Sequence, residues 1–571
     1  MSKQAEPNVS DAAAGRGADR VAALIAERAP EAVRLRAVLG LVVPGGRHEI
    51  PHLVRSCGLS RQLLLGLLRS AGADIGWDGD TVWFAGVQRE YQALIAAESA
   101  SSSHTDDSVP DVLVERMRGI LARVPPPIRG LDHVPATAET VLRRARYLAR
   151  EFDLDQTPLL FIGDHDCTSL AFDVLGVTPR SVTVVDIDER LLAFIVSQPQ
   201  AADGSIIPLF ADLRLGLPES ARAAHDVAFT DPPYTVDGVG LFVARAVEGL
   251  AEPGKGRILL AYGYSESTPA LGLKVQRALA DLELLFEAVL PDFNHYDGAQ
   301  AIGSRADLYR LRPTKRTDRI ALRMVARYGR TMYTHGSQSE ESHDGGAGIT
   351  TRDTVAQTVL EQFSGGDLLL VGAGWAGQDT MPVDRFLSGE NSSRQTETTI
   401  IDLRPLFGWS LIRAALTATS ERTIIIAHRD AYGLHSAAES AQLRAALEPR
   451  YQVENIQRSF HGTDSAVVEL RCTTTESVAA NVWHRPQSRV ATTWRESLIA
   501  AARRHGTELT KNQARALIEQ TQLTASVTDH NLIDLPAATL ARLHQAIDET
   551  ARPYSAANPV DCERSEIVRR V

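Results

Sequence analysis

From residue 156 onward the chain alternates short apolar runs with amphipathic stretches, and this rhythm constrains the fold more than any other feature. TPLLFIG, SVTVVD, IIPLF, DVAFT and GRILLAY read as strands; CTSLAFDVLGV, ERLLAFIV and DGVGLFVARAVEGL read as helices between them. Strand–helix units joined in this way give a mainly parallel sheet. Strands that are apolar almost throughout belong in a sheet covered on both faces. Such sheets bind ligands at the carboxyl ends of their strands, where the order of strands reverses.

Acids stand at four of those ends. Asp164 and Asp166 follow the first strand, Asp186 and Asp188 the second, Asp212 the third and Asp231 the fourth. One acid after a strand is ordinary, because Asp caps helices well. Asp186 and Asp188 sit where a carboxylate can take the hydroxyls of a nucleoside ribose, although Asp188 can equally cap ERLLAFIV. Asp212 can accept from an adenine amino group or pair with Arg214.

The first turn, GDHDCTS at 163–169, has one glycine and two aspartates. A phosphate-binding turn instead offers glycines and bare backbone N–H groups. Bringing a diphosphate against Asp164 or Asp166 costs roughly 4 kcal/mol per close pair at an intermediate dielectric. NAD, FAD and ATP are disfavoured, and a cationic nucleoside is favoured. The second turn, DPPYT at 231–235, ends the buried run VAFT. Its prolines fix the backbone, so that Asp231 and nearby carbonyls face an amine, and the Tyr234 ring can meet the cation. The plain alternative is a turn that merely ends a strand.

These residues resemble the branched-chain polyamine synthase family, N4-bis(aminopropyl)spermidine synthases, over residues 21–330. Its paired turns, Gly-Asp-Asp-Asp with a Thr-Ser helix start and Thr-Asp-Pro-Pro-Tyr-Thr, are matched by Gly163, Asp164, His165, Asp166, Thr168, Ser169 and by Thr230 to Thr235. DIDERLL at 186–192 and FNHY at 293–296 are also similar. The resemblance implies a Rossmann-like, class I methyltransferase-type fold behind an N-terminal winged-helix module. It implies catalytic roles for Asp164, His165, Asp166, Asp231 and Tyr234. It implies a cofactor site at Gly163, Asp186, Asp188, Asp212 and Pro232, with no metal. The implied reaction moves an aminopropyl group from decarboxylated S-adenosylmethionine to a polyamine or related amine. One departure stands out: His165 replaces the middle acid. An imidazole can take a proton from an amine but supplies no fixed negative charge.

Two other readings stay open. The first is an S-adenosylmethionine-dependent amine N-methyltransferase; the acids of the first turn would repel that donor's carboxylate, which favours the decarboxylated form. The second is a DNA-binding regulator with a ligand-sensing Rossmann domain. Its recognition helix would be SRQLLLGLLRS, which offers only Arg61 and Arg69, few side chains for a DNA reader. The net charge of −11 also argues against a broad phosphate-binding surface and suits a cationic amine substrate.

The rest of the 571 residues is organised around this segment. Residues 1–20 read as a disordered tail and 21–95 as a winged-helix-like domain, with a Ser60 cap and a hairpin turn at Asp78-Gly79-Asp80. The transferase domain spans 112–330, a linker 331–349, a second α/β domain 350–485 and a helical region 486–571. GAGWAG, with Gly372, Gly374 and Gly377, has nucleotide-turn spacing, and Asp402 is a ribose candidate. A lone glycine motif is weak. Four scattered cysteines, no secretory leader and no membrane-length apolar run point to the cytoplasm. Homodimerisation is left open.

Overall fold

The computed structural model describes residues 16–28, 31–96, 109–265, 268–298, 304–325, 332, 349–372, 375, 378–389, 396–404, 408–474, 476–521 and 523–554. Most of the expected linkers, Gly374, Gly377 and Cys562 lie outside the described residues. At the amino end, helices Gly17–Glu27 (α1), Ala32–Val42 (α2), Ile50–Cys57 (α3) and Arg61–Ser70 (α4) pack with strands Arg47–Glu49 (β1), Ile75–Asp78 (β2) and Thr81–Phe84 (β3) and helix Gln88–Ala96 (α5). The helix at Gly17 begins inside the stretch expected as a tail. Ser60 caps α4 by accepting from the Leu63 N–H, and the strands form an antiparallel sheet in the order β1-β3-β2. Arg61 turns back to Asp80 of the hairpin at 2.6 Å. A buried Arg36–Asp153 pair and Arg257–Glu31 at 2.8 Å join this unit to the next.

The central unit begins with helices Asp111–Leu121 (α6) and Ala138–Glu151 (α7). It continues with Pro158–Ile162 (β4), Ala171–Val174 (α8), Ser181–Asp186 (β5), Glu189–Val196 (α9), Pro199–Ala202 (α10), Ile206–Phe210 (β6), Val227–Thr230 (β7), Val236–Gly249 (α11) and Arg257–Tyr262 (β8). Pro269–Asp281 (α12), Leu284–His295 (β9), Arg305–Pro313 (β10) and Thr317–Val325 (α13) complete it. The sheet runs β6-β5-β4-β7-β8-β10-β9. Its first five strands are parallel and β10 is antiparallel to both neighbours. The long β9–β10 pair is thus an antiparallel addition to the parallel sheet that the alternation predicts.

The order reverses between β4 and β7. The chain leaving β4 goes to the face carrying α8 and α9, and the chain leaving β7 goes to the face carrying α11. Both expected turns therefore open at one crevice. The stretch after β4 is shorter than its apolar pattern predicts. Cys167 takes a left-handed φ of 51°, so only a 3-10 turn, Thr168–Leu170, and the four residues of α8 are helical.

The carboxyl-terminal half forms a second sheet from Leu368–Val371 (β11), Thr398–Asp402 (β12), Arg422–His428 (β13), Tyr451–Gln457 (β14) and Ser465–Cys472 (β15), in the order β11-β12-β13-β15-β14. The first three strands are parallel and the last two join antiparallel. β14 escapes the sequence pattern because it is an edge strand with many polar residues. Helices Val490–Arg504 and Ala537–Ala551 pack onto this half through Trp494, Leu498, Leu540, Leu543 and Ile547. No helix among the described residues is long and apolar enough to cross a membrane.

Candidate active site

The two turns hang from one guanidinium. Arg144 projects from α7, is buried, and donates to Asp166 at 2.9 Å and to Asp231 at 2.6 Å through different nitrogens. Its Nε donates to Asn294 Oδ1 at 2.7 Å, and it reaches the Tyr296 hydroxyl at 3.1 Å. Tyr296 donates to Asp231 at 2.8 Å, and Tyr234 lies 3.1 Å from the other Asp231 oxygen and 2.9 Å from Tyr296. FNHY thus belongs to the same network as GDHD and DPPYT. The Thr230 hydroxyl donates to the Ile162 carbonyl at 2.9 Å, holding the ends of β4 and β7 together. Thr235 caps α11 through the Gly238 N–H at 2.8 Å. A Cβ at Gly238 would stand 2.6 Å from the Pro233 carbonyl, so a glycine there lets α11 start tight beneath the turn.

A pocket partly open to solvent lies over these turns. Leu131, Ile187, Ala211, Leu213 and Phe242 supply apolar walls; Asp132, His133, His165, Asp186 and Asp231 supply the ionisable ones. Gly163, at φ 73°, lines the floor, where a Cβ would meet the Phe242 ring at 3.5 Å. Flat apolar walls with a carboxylate at the end of the second strand fit an adenosine moiety.

Burial and partners set the protonation of this site. Desolvation lifts Asp186 to about 6 against the pull of N–H donors from Asp188 and Asp164. It lifts Asp164 to about 7, although Ser169 donates to it. Burial alone would lower the His165 imidazole, but Asp166, the Val134 carbonyl, Asp231 and Asp186 raise it above its ordinary value. His165 Nε2 lies 2.9 Å from that carbonyl, and its ring stacks on His133 at 4.7 Å. His133, buried beside His165 and Arg190, is driven well below the ordinary imidazole range. The Tyr234 and Tyr296 hydroxyls are pushed up by burial and by Asp231, so both keep their protons. Burial also lowers the Arg144 guanidinium, but Asp231, Tyr296 and Asp166 more than reverse this. The site therefore offers an oriented carboxylate with two phenolic donors, facing an imidazole. That set can hold an amine and take its proton.

The candidate residues separate on inspection. Gly163, His165, Asp186 and Asp231 line the cavity. Tyr234 borders it through Asp231. Asp164 and Asp166 do not line it: Asp164 accepts the Ser169 N–H, and Asp166 accepts the Ala136 N–H at 2.7 Å and Arg144. Pro232 is buried, and Pro233 lines the cavity in its place. Asp188 caps α9 and grips Arg190 with both oxygens at 3.1 and 2.8 Å. Asp212 holds Arg214 at 2.8 and 2.5 Å, and Asp402 holds Arg404 at 2.8 and 2.7 Å. Asp188 makes the cap and Asp212 the Arg214 pair that their sequence neighbours allow. Among the described residues no group of three or more His, Cys, Asp or Glu is arranged to hold a metal ion.

Arg144 and His133 were not singled out from the sequence, and Tyr296 entered only as the last residue of FNHY. Arg144 carried a readable mark: it falls on the same stripe of α7 as Val141, Ala145 and Leu148, all buried. An arginine on an apolar stripe requires buried carboxylates. Tyr296 and His133 lie in segments without periodicity, and only the folded chain brings them to the crevice.

Parts of this chain are similar to known proteins. Residues 112–344 match the family model of the branched-chain polyamine synthase A C-terminal domain. An uncharacterized protein of Methanocaldococcus jannaschii is 36% identical over 182 residues, 32% of this chain and 45% of that protein. The N(4)-bis(aminopropyl)spermidine synthase of the same organism is 33% identical over 189 residues, 32% of this chain and 53% of the relative. The branched-chain polyamine synthase of Thermus thermophilus, solved with N4-aminopropylspermidine and 5'-methylthioadenosine, is 19% identical at a TM-score of 0.33. That match covers 57% of this chain and 98% of the solved one. The chain spans about half the length of the curated relatives it matches.

Proposed function

We propose that the segment 112–344, which matches the branched-chain polyamine synthase A C-terminal domain, transfers an aminopropyl group from decarboxylated S-adenosylmethionine to a cationic amine. The observation that carries the reading is the meeting of both signature turns at one cavity, joined through Arg144. In the reaction the acceptor nitrogen bonds to the carbon next to the sulfonium sulfur, the carbon–sulfur bond breaks, and methylthioadenosine leaves. Asp186 takes the ribose hydroxyls, and the walls from Leu131, Ile187, Ala211 and Leu213 take the adenine. Asp231, oriented by Tyr234, Tyr296 and Arg144, holds the acceptor amine. His165 or Asp231 removes its proton. A free alkyl amine has a pKa near 10.4, so deprotonation at pH 7 costs roughly 4–5 kcal/mol, and a nearby base lowers that barrier.

The same reading gives 112–330 a class I methyltransferase-type fold, 21–95 a winged-helix role in packing rather than DNA binding, 350–485 a second α/β domain and 486–571 a helical region. It places the protein in the cytoplasm. Support for the packing role comes from Arg61, held by Asp80. Further support comes from Leu59, Ser60 and Leu63, which face Tyr147 and Arg310 of the central unit across a cleft.

The test is to incubate the full chain with decarboxylated or intact S-adenosylmethionine and a panel of amines. Methylthioadenosine from the decarboxylated donor is expected. S-Adenosylhomocysteine alone would move the assignment to methyl transfer, and neither product would overturn it.

A further inference from the structure

A buried ion pair joins the carboxyl-terminal half to the segment that borders the cavity. Arg413, on helix Leu411–Thr417, pairs with Glu189 at 2.7 Å between Nη1 and Oε1, and both side chains are at most 5% exposed. Glu189 is the first residue of α9, directly after the Asp186–Asp188 turn. Its other oxygen accepts the Ala537 N–H at 2.8 Å, at the start of helix Ala537–Ala551. The Arg413 guanidinium also lies 3.7 Å from the centre of the Phe210 ring, at the end of β6, and donates to the Leu535 carbonyl at 2.9 Å. Nearby, His530 Nδ1 lies 2.6 Å from the Ser220 hydroxyl.

These contacts converge on two chain segments. One runs from Asp186 into α9 and the other from Phe210 to Leu213. The same segments supply Asp186, Ile187, Ala211 and Leu213 to the cavity wall. Glu189 and Arg413 themselves do not line it. A buried ion pair is weak support for stability, because desolvation offsets most of its attraction. It does fix geometry, since each charge admits few other placements.

We propose that the carboxyl-terminal half completes the nucleoside side of the cavity, with Glu189 and Arg413 as positioning residues that hold the Asp186–Asp188 turn and the end of β6. This rests on the aminopropyl-transfer reading above, in which that wall receives the adenosine moiety. The half is then a fixed brace for the donor and leaves the acceptor side, built from Asp231, Tyr234 and Tyr296, to the central unit alone.

The test uses the full chain and 5'-methylthioadenosine as probe. The double variant Glu189→Ala/Arg413→Met removes both charges and strands neither. It is expected to bind the nucleoside about tenfold or more weakly, the scale of a small misplacement of a binding wall. Hydrogen exchange should rise at 186–192, while the acceptor KM stays within about twofold. A folded double variant with wild-type affinity overturns the inference and leaves the transfer reading standing. Wild-type protein that does not bind methylthioadenosine overturns both. If the double variant does not fold, Glu189→Gln decides: a loss of affinity supports the brace, and none refutes it.

Discussion

Replacing Arg144 by methionine is the sharpest probe of the site. The change keeps the length of an apolar side chain but removes the donors that reach Asp166 at 2.9 Å, Asp231 at 2.6 Å and Asn294 at 2.7 Å. Asp166 and Asp231, at 3% and 10% side-chain exposure, are left without their cation. Stranding a buried partner in this way costs about 3–5 kcal/mol. For a unit of this size each kcal/mol lowers Tm by roughly 2–4 °C, so the variant should melt about 6–20 °C below wild type in thermal unfolding followed by circular dichroism. Arg144→Met/Asp166→Asn/Asp231→Asn removes the stranded charges and should recover most of that loss, because the penalty lies in the unpaired carboxylates. A single variant within about 2 °C of wild type, or a triple variant less stable than the single one, would refute the argument that this guanidinium is the electrostatic partner of both turns.

Asp231→Asn should lower kcat by about 10² or more, while Tyr296→Phe, which leaves Tyr234 as a donor to Asp231, should lower it less; steady-state kinetics with equal losses would contradict the assignment. Burial raises the Asp164 pKa to about 7. A carboxyl raised in the folded state favours folding below its unfolded value near 4 and loses that contribution as pH climbs to 7. Asp164→Asn should therefore gain stability relative to wild type between pH 5 and pH 8, by roughly 2–3 kcal/mol, and urea unfolding that shows the same difference at both pH values would exclude it. Arg61→Ala breaks only an exposed pair with Asp80, worth about 0–1 kcal/mol; transfer activity should be unchanged, and loss of activity would undercut the packing role of the amino-terminal unit.

The parallel core of the central sheet was legible in part because two of its strands lead into helices that their own residues cap: Asp188 for α9 and Thr235 for α11. The meeting of GDHD and DPPYT was legible too, since neighbouring strand ends follow from the alternation. The local partners of individual acids were less legible. Asp188, Asp212 and Asp402 each precede an arginine by two residues, and a guanidinium two positions on can fold back onto the carboxylate. A sequence displays the acid and the arginine but not which of them the cavity keeps. The long antiparallel β9 and β10 were missed because they lie outside the strand–helix rhythm. Arg144 lies within a helix, away from the strand ends at which a parallel sheet collects its ligands.

The strand order of the carboxyl-terminal sheet has a consequence of its own. From β11 through β13 it proceeds in one direction, and helices Val383–Leu387 and Leu411–Thr417 share one hydrophobic cluster on the same face. At the carboxyl end of β12, Asp402 is already joined to Arg404. To acquire a ligand site of the central unit's kind, this half would need additional strands on the free side of β11, with the chain doubling back across it.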